Sequence, residues 1–366
     1  MKGFRLVLTL LAGLMGAAVH ASAEGETIFR SVSGAHQPYI RILSTTDLEI
    51  FSPVIKRYQQ EHPNLEVRYD EITSTPLYEQ AAKDCVSNRS SADLIISSAV
   101  DLQLKLVNDG CAQSYVSEAT ERLPDWAQWR DELFGLTFEP VVVVYNRKAF
   151  ANIKVPGSRF EIIDLLRASP EHYAGKVATY DIEASGVGYL FAFEDARQAS
   201  TYGRLVESLG RSNVVVRCCT GEILDGVAEG RWSLGYNVIG SYAALRARND
   251  PRIGIIYPQD YTLILSRAAF IPKTAVNAAI AADFLDFVLS ETGRSVLAER
   301  AQLHSSIDGI ERLAGSEVPT LFAKQSLRPI AFTPALLVGL DQHKRRIFLK
   351  QWRDAVQPTS ENAQKE

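Results

Sequence analysis

The sequence predicts an α/β protein with two lobes, each a mostly parallel sheet flanked by helices. From residue 39 onward, short apolar runs alternate with amphipathic segments, as is typical of strand–helix units. The alternation starts again after Arg147, and two apolar runs, Arg252–Tyr257 and Tyr261–Ser266, are placed to return the chain to the first sheet. The 366 residues suffice for two domains of about 100–200 residues each. We therefore expect two lobes joined by two crossing strands.

In the first lobe, three short runs rich in branched residues predict strands at Tyr39–Leu43, Leu65–Tyr69 and Ala92–Ile96. Between the first two, apolar residues at helical spacing from Leu48 to Tyr58 predict a helix that ends before Pro63. A second helix is expected near residues 76–86.

The run Glu139–Asn146 is the most strand-like stretch of the chain, and a proline near its start is compatible with strand entry. The second lobe is then predicted from strands near Lys176–Tyr180, Val214–Val216 and Trp232–Asn237. Outer helices are expected near 275–289 and 334–352. We assign residues 24–141 and 251–300 to the first lobe, 142–250 to the second, and 301–366 to C-terminal helices that pack on the lobes.

The first 23 residues have the pattern of a cleaved secretory signal peptide. Lys2 and Arg5 lie before an apolar run, Leu6–Val19. After this run, Ala21 and Ala23 fit the small-residue cleavage rule. The run is shorter than the roughly 18 residues expected of a membrane-spanning helix, although it would serve as an anchor if cleavage failed. We therefore expect a periplasmic protein whose mature chain begins at residue 24.

The formal net charge of −4 becomes more negative once this basic leader is removed, which argues against a nucleic-acid partner.

Four cysteines in an oxidising compartment permit three pairings. Cys85 with Cys111 is the preferred bridge. The adjacent Cys218 and Cys219 could form a vicinal disulfide, remain free or bind metal, although no CxxC or histidine-rich partner supports a zinc site.

Hydroxyls and glycines occupy four predicted strand-to-helix turns. In an open α/β sheet, ligands bind outside the carboxyl ends of strands, where helix N-termini carry partial positive charge. Hydroxyls there can bind an anion, although each Ser or Thr taken singly is also a common helix N-cap. Gly186 and Gly188 leave room for close backbone approach, but their spacing lacks a nucleotide-binding fingerprint. The candidate residues are Ser44, Thr45, Thr46, Ser97, Ser98, Ser185, Gly186, Val187, Thr220 and Gly221.

Two further side chains are candidates. Glu139, at the start of the strand expected to bridge the lobes, could reach a ligand hydroxyl or a cation, or pair with a surface arginine. Tyr242 offers a phenolic donor or metal ligand, or packs with its hydroxyl satisfied. Catalytic patterns are missing from the sequence: it has neither a Gly-x-Ser-x-Gly elbow nor His-Glu-x-x-His, although a triad could assemble only in space. We expect a protein that is not an enzyme, with no cofactor and no metal site.

Five stretches in this order resemble the type II periplasmic solute-binding proteins of ABC transporters, over nearly all of the mature chain. They are Ser44–Thr46, Ala92–Ser98, Glu139–Asn146, Ser185–Tyr189 and Gly235–Tyr242. Within that group the chain looks like the branch with ferric-iron, sugar-phosphate and phosphoglycerate-regulatory binding proteins. The resemblance implies a two-lobe trap that closes about a hinge. It also implies that the four turns line the cleft, with Asn237 and Tyr242 nearby.

One departure from the branch bears on the ligand. Ferric-iron members have two consecutive tyrosines where this chain has Tyr242 and Ala243. A small organic anion, phosphorylated or carboxylated, is therefore expected, with ferric iron as the alternative. The expected partner is an ABC permease, or alternatively the periplasmic domain of a sensor kinase, and we expect a monomer. A hydrolase or transferase built on the same fold is the third hypothesis.

Overall fold

The structure, a computed structural model, describes residues 25–32, 37–308 and 327–356. The predicted signal peptide and part of the predicted C-terminal region lie outside these residues. Two mixed sheets flanked by helices confirm the predicted fold class. The helices are α1 Leu48–Glu61, α2 Ser74–Ser87, α3 Val100–Asn108, α4 Glu118–Glu121, α5 Arg159–Ala168, α6 Pro170–Tyr173, α7 Gly186–Gln198, α8 Tyr202–Arg211, α9 Thr220–Ala228, α10 Gly240–Asn249, α11 Ala278–Leu289, α12 Glu291–Ala301, α13 Leu337–Leu340 and α14 Gln342–Val356.

The first sheet has seven strands: β1 Gly25–Phe29, β2 Tyr39–Ser44, β3 Glu66–Glu71, β4 Leu94–Ser97, β5 Gln128–Trp129, β6 Leu133–Gly135 and β13 Ala268–Phe270. Their order is β1-β3-β2-β4-β13-β6-β5. Only β2 pairs in parallel, with β3 on one side and β4 on the other, so the parallel character that we predicted is confined to the centre. The carboxyl ends of β2 and β4 therefore meet at one edge of the sheet.

The second sheet is built around β7, Thr137–Asn146. It contains β8 Val177–Tyr180, β9 Val215–Arg217, β10 Leu234–Ile239, β11 Ile253–Ile256, β12 Thr262–Leu265, β14 His304–Ser305 and β15 Leu327–Pro329. The main order is β15-β12-β7-β10-β8-β9, and β11 and β14 also pair with β7. Parallel pairing joins β10 to β8, β8 to β9 and β12 to β15.

The prediction that two apolar runs return the chain to the first sheet is wrong. β11 and β12 both pair antiparallel with β7 in the second sheet. The ten residues of β7 are long enough to hold β12 against Glu139 and Pro140 and β11 against residues 143–146. The chain reaches the first sheet again at β13, so the return crossing lies at Ser266 and Arg267.

Helix α1 illustrates how the apolar pattern produces the packing. Phe51, Val54, Ile55 and Tyr58 lie on one face and are buried, as their spacing predicts. They pack in the first lobe's core with residues of α11 and α12, among them Phe284. Because α1 begins shortly after β2 ends and this face is buried, the N-terminal end of α1 lies at the carboxyl end of β2.

The C-terminal segment contacts both lobes. The helix predicted at 334–352 is interrupted: a 3-10 turn and α13 precede a break at Asp341, and α14 follows. α13 packs on α3 of the first lobe, whereas α14 packs on α8 of the second. A side chain at Gly210 would place its Cβ 1.8 Å from the carbonyl oxygen of Ala355, so the glycine permits this close packing. None of the helices in the described ranges is both long and apolar enough to cross a bilayer.

Both cysteine pairs are disulfides. Cys85 at the end of α2 is bonded to Cys111 after α3, which confirms the preferred bridge. Cys218 and Cys219 form a vicinal disulfide between β9 and α9, rather than remaining free or binding metal.

Replacing Cys85 and Cys111 together by serine should lower the free energy of unfolding by about 3–4 kcal/mol, because the bridge closes a long loop in the unfolded chain. Their separation is 26 residues, against one for Cys218 and Cys219, so the matched double replacement of the vicinal pair should have a much smaller effect. Urea unfolding without reductant measures both. Equal losses from the two pairs would contradict this expectation.

Candidate ligand-binding site

Five of the predicted hydroxyl residues form one cluster at the edge of the first sheet. Because β2 and β4 are parallel neighbours, the turns after them lie side by side. Thr45 Oγ1 accepts a hydrogen bond from the backbone N–H of Ser98 at 3.0 Å and lies 3.3 Å from its hydroxyl. Ser44 Oγ accepts from the N–H of Thr46 at 3.0 Å, and Ser97 Oγ accepts from the N–H two residues on at 3.1 Å. These hydroxyls thus shape the two turns.

Arg267, which the sequence reasoning missed, lies where the two crossings of the chain meet. It is 2% exposed. Its Nε donates to Glu139 Oε1 at 2.9 Å, Nη2 to Glu139 Oε2 at 3.3 Å, and Nη1 to Thr46 Oγ1 at 2.8 Å. A charged residue inside the apolar run from Tyr261 to Phe270 is the signal that could have revealed it.

Glu139 therefore has a buried partner, rather than the surface arginine considered as one alternative. Its carboxylate also accepts from the hydroxyls of Thr137, at 2.7 Å, and Ser241. Burial lowers the pKa of the Arg267 guanidinium, but Glu139, through its charge and hydrogen bond, together with Tyr242 and Asp47 more than offsets this and raises the pKa overall. The pair is buried away from water, where each side chain supplies the other's counter-charge.

Tyr242 joins the two lobes. Its hydroxyl donates to Asp47 Oδ1 at 2.9 Å and accepts from the Asp47 N–H at 3.3 Å, just before α1 begins. The guanidinium of Arg267 lies 5.2 Å from the centre of the Tyr242 ring. Burial raises the pKa of this phenol, as does the charge of Asp47, whereas Arg267 lowers it. The residue is thus a protonated hydrogen-bond donor, and its neighbour Ala243 is buried.

The turn before α7 reaches across to the first lobe. Ser185 Oγ accepts from the N–H of Gly188 at 3.2 Å, which is the helix-capping role considered for it. The N–H of Gly186 donates to Ser74 Oγ, at the start of α2, at 3.0 Å. A side chain at Gly186 would bring its Cβ within 2.7 Å of that hydroxyl oxygen. Val187 is buried beside them.

The remaining predicted residues divide between the junction and the interior. The hydroxyl of Thr220 is hydrogen-bonded to that of Tyr180. Tyr180 is buried, and burial raises the pKa of its phenol. Gly221 is exposed.

The side chain of Asn237 is hydrogen-bonded in the interior of the second lobe. With φ at +60°, it donates from Nδ2 to Asp195 at 2.6 Å. Asp195 also accepts from Tyr236, Tyr261 and Arg159, at 2.7, 2.8 and 3.1 Å. The buried Arg159–Asp195 pair was not anticipated from the sequence.

A groove of about 830 Å3 lies beside this junction, lined by residues of α2, α3, α7 and α14. Of the predicted residues only Gly186 reaches it. Asp101 also lines the groove and is 3% exposed. Burial raises the pKa of its carboxyl from the ordinary 3.8 to about 7, although backbone N–H groups of Leu102 and Asp101 itself lower it. We refer to this cavity as the α14 groove. In the described ranges, no three His, Cys, Asp or Glu side chains are grouped as metal ligands would be.

The comparisons with known proteins agree with this architecture. A family model for bacterial extracellular solute-binding proteins matches residues 89–312. The substrate-binding protein of an ABC transporter from Agrobacterium tumefaciens is 34% identical, with a TM-score of 0.86, over 92% of this chain and 100% of that one. No curated protein sequence matches the chain.

Two more distant structures share the fold. AfuA from Actinobacillus pleuropneumoniae, with fructose-6-phosphate bound, is 15% identical with a TM-score of 0.70, over 88% of this chain and 100% of its own. Iron-bound HitA from Pseudomonas aeruginosa is 16% identical with a TM-score of 0.64, over 87% and 99%. The fold is thus that of type II periplasmic binding proteins.

The chain belongs to the bacterial extracellular solute-binding protein family, the substrate-binding components of ABC transporters. Proteins of this family bind small molecules and deliver them to ABC permeases. They are binding proteins, which confirms the prediction that this chain is not an enzyme.

Replacing Glu139 by Gln should lower the free energy of unfolding by about 3–5 kcal/mol, because it leaves Arg267 buried without its counter-ion. Glu229, in an exposed pair with Arg231 at 2.6 Å, provides the matched Glu→Gln control, expected to cost about 0–1 kcal/mol. Urea unfolding of both variants compares the two values. A Glu139→Gln cost as small as that of the control would refute the buried ion pair.

Asp101 should make stability depend on pH. Because its folded pKa lies above the ordinary value of 3.8, the folded state binds more protons, and stability is lost as pH rises from about 4 towards 7. Asp101→Asn should remove this part of the pH dependence and make the variant relatively more stable at pH 8 than at pH 4. Urea unfolding across this range measures it, with the exposed Asp109→Asn as control. If Asp101→Asn left the pH dependence of stability unchanged, burial would not be raising the pKa of Asp101.

Proposed function

We propose that this protein captures a small organic anion, phosphorylated or carboxylated, in the cleft between its lobes and presents it to an ABC permease in the periplasm. The observation that carries the proposal is the group of hydroxyl-bearing turns gathered around Arg267. Its guanidinium, buried where the crossings meet, contacts Thr46 of the first lobe and lies over Tyr242, which follows the second sheet's β10. Because Glu139 already neutralises the charge of Arg267, the hydroxyl and N–H donors of these turns are the groups that favour an anionic solute.

The surrounding turns favour the same chemistry. α3, α7 and α9 begin at strand-end turns that carry hydroxyls. First-turn N–H groups lack intrahelical acceptors and carry partial positive charge, so helix starts of this kind suit phosphate or carboxylate oxygens. The N–H of Gly186 is already shared with a hydroxyl from the opposite lobe, which is the kind of contact that an anion would replace.

The chemistry of Tyr242 argues for an organic anion and against ferric iron. Because burial raises the pKa of its phenol, deprotonation to a phenolate ligand is disfavoured. Ala243 supplies no second phenol beside it. Fold neighbours include an iron-bound and a sugar-phosphate-bound protein, so we base the choice between the two ligands on this local chemistry rather than on the fold.

Three of the contacts between the lobes are hydrogen bonds made by residues of the candidate site. They join Tyr242 to Asp47, Arg267 to Thr46, and Gly186 to Ser74. On the proposed function, the lobes separate by breaking the first and third, and a bound solute bridges the same groups. The solute thereby shifts the population towards the closed state, since it contacts both lobes only there. We further propose export through cleavage after residue 23 and a monomeric protein.

The test is a thermal-shift screen against phosphate esters, organic acids, sugars, polyamines and ferric citrate. A cognate ligand at about 100 times its Kd adds roughly 2.7 kcal/mol of stability. We expect a rise in Tm with a phosphate ester or a carboxylic acid. A rise with ferric citrate alone, or with no anion, would overturn the assignment.

Variants then locate the site. Thr46→Ala combined with Ser185→Ala should weaken binding of the anion found in the screen by about tenfold or more, since a buried hydrogen bond lost at each position costs about 1–3 kcal/mol. Ser87→Ala with Thr201→Ala makes the same chemical changes away from these turns and should leave the Kd unchanged. Titration calorimetry measures both, and an unaltered Kd in the first double variant would remove these turns from the site.

A further inference from the structure

The α14 groove shares only Gly186 with the turns to which we assign the solute. Three helices begin at its floor: Thr75 lies in the first turn of α2, Asp101 in that of α3, and Gly186 begins α7. Its outer wall is α14, the helix that packs on the second lobe. At about 830 Å3 the groove has the volume of a small-molecule site.

One residue of the groove lining, Asp101, has a buried carboxylate oxygen without a hydrogen-bond donor. Asp101 is 3% exposed, and no described residue donates to its Oδ1. Buried polar atoms are nearly always hydrogen-bonded, so each exception requires an explanation. The proposed cleft does not use Asp101, and a donor group from a bound molecule would satisfy this oxygen.

The opposite wall is basic. Arg345, Arg346 and Lys350 of α14 line it. Lys350 is paired with Asp354, whereas the guanidinium of Arg345 lies 4.9 Å from the centre of the Tyr189 ring. The charge of Arg345 also lowers the pKa of Asp101, so the two groups act within one electrostatic environment.

We propose that the α14 groove is a second binding site, for a small zwitterion whose ammonium group donates to Asp101 and whose phosphate or carboxylate group contacts Arg345. An anion alone leaves the Asp101 oxygen without a donor. A cation alone meets the basic wall and the positive ends of three helices. A molecule carrying both charges matches both walls, so the groove and the cleft differ in ligand chemistry.

The test compares O-phosphoethanolamine with its two halves, ethanolamine and methyl phosphate, by titration calorimetry on the purified protein. The zwitterion should bind about tenfold or more tightly than either half, because each half forfeits one charged hydrogen bond. Equal affinity for the zwitterion and methyl phosphate, or no binding of the zwitterion, would overturn the proposal.

Two variants locate this binding. Asp101→Asn should reduce the affinity for O-phosphoethanolamine towards that of methyl phosphate, and Arg345→Gln should reduce it towards that of ethanolamine. Lys344→Gln removes the same charge from α14 at a residue outside the groove and should change neither. Because Arg345 is only partly buried, its variant remains informative even if Asp101→Asn fails to fold.

The cleft variants separate the two proposals. If Thr46→Ala with Ser185→Ala abolishes binding of O-phosphoethanolamine while Arg345→Gln does not, the zwitterion occupies the cleft and the groove proposal fails. If the groove variants alone abolish it, the groove proposal holds whatever the anion screen finds.

Discussion

The buried ion pair between Glu139 and Arg267 holds together the two places where the chain passes between the sheets. Glu139 lies near the start of β7, and Arg267 lies in the return from β12 to β13. With both side chains almost fully buried, neither charge is tolerable without the other. Thr46 from the first lobe and Ser241 from the second bond to the same pair, so the position of the strand-end turns depends on it.

A second buried pair performs a similar role inside the second lobe. Arg159 and Asp195 organise Tyr236, Tyr261 and Asn237 into one hydrogen-bonded network. A fully satisfied network of this kind rigidifies its surroundings. It fixes the backbone at the end of β10, directly before the helix that carries Tyr242. On the proposed function, closure therefore moves a rigid second lobe against the junction rather than reshaping its turns.

The candidate site shows where prediction from sequence succeeds. Ser44, Thr45, Ser97 and Ser98 come together because β2 and β4 are parallel neighbours, which their apolar patterns and intervening helices made predictable. Arg267 and Asp101 were missed for the opposite reason. An arginine between two strands and an aspartate in a helix's first turn have no periodicity, and their importance follows from burial that only packing creates. The pairing of β11 and β12 was missed because the length of β7 lets both strands pair with it, one towards each of its ends.

The sequence by itself determined the α/β class, the two-lobe organisation and the α1 face, because these follow from local periodicity and turn chemistry. Tertiary structure alone decided which sheet receives β11 and β12, which partner neutralises Glu139, and where Asn237 points. It also decided that α14 forms a wall of a groove containing Asp101. Such outcomes depend on contacts between residues from 42 to 128 positions apart or more, and their energies arise only when the groups leave water together.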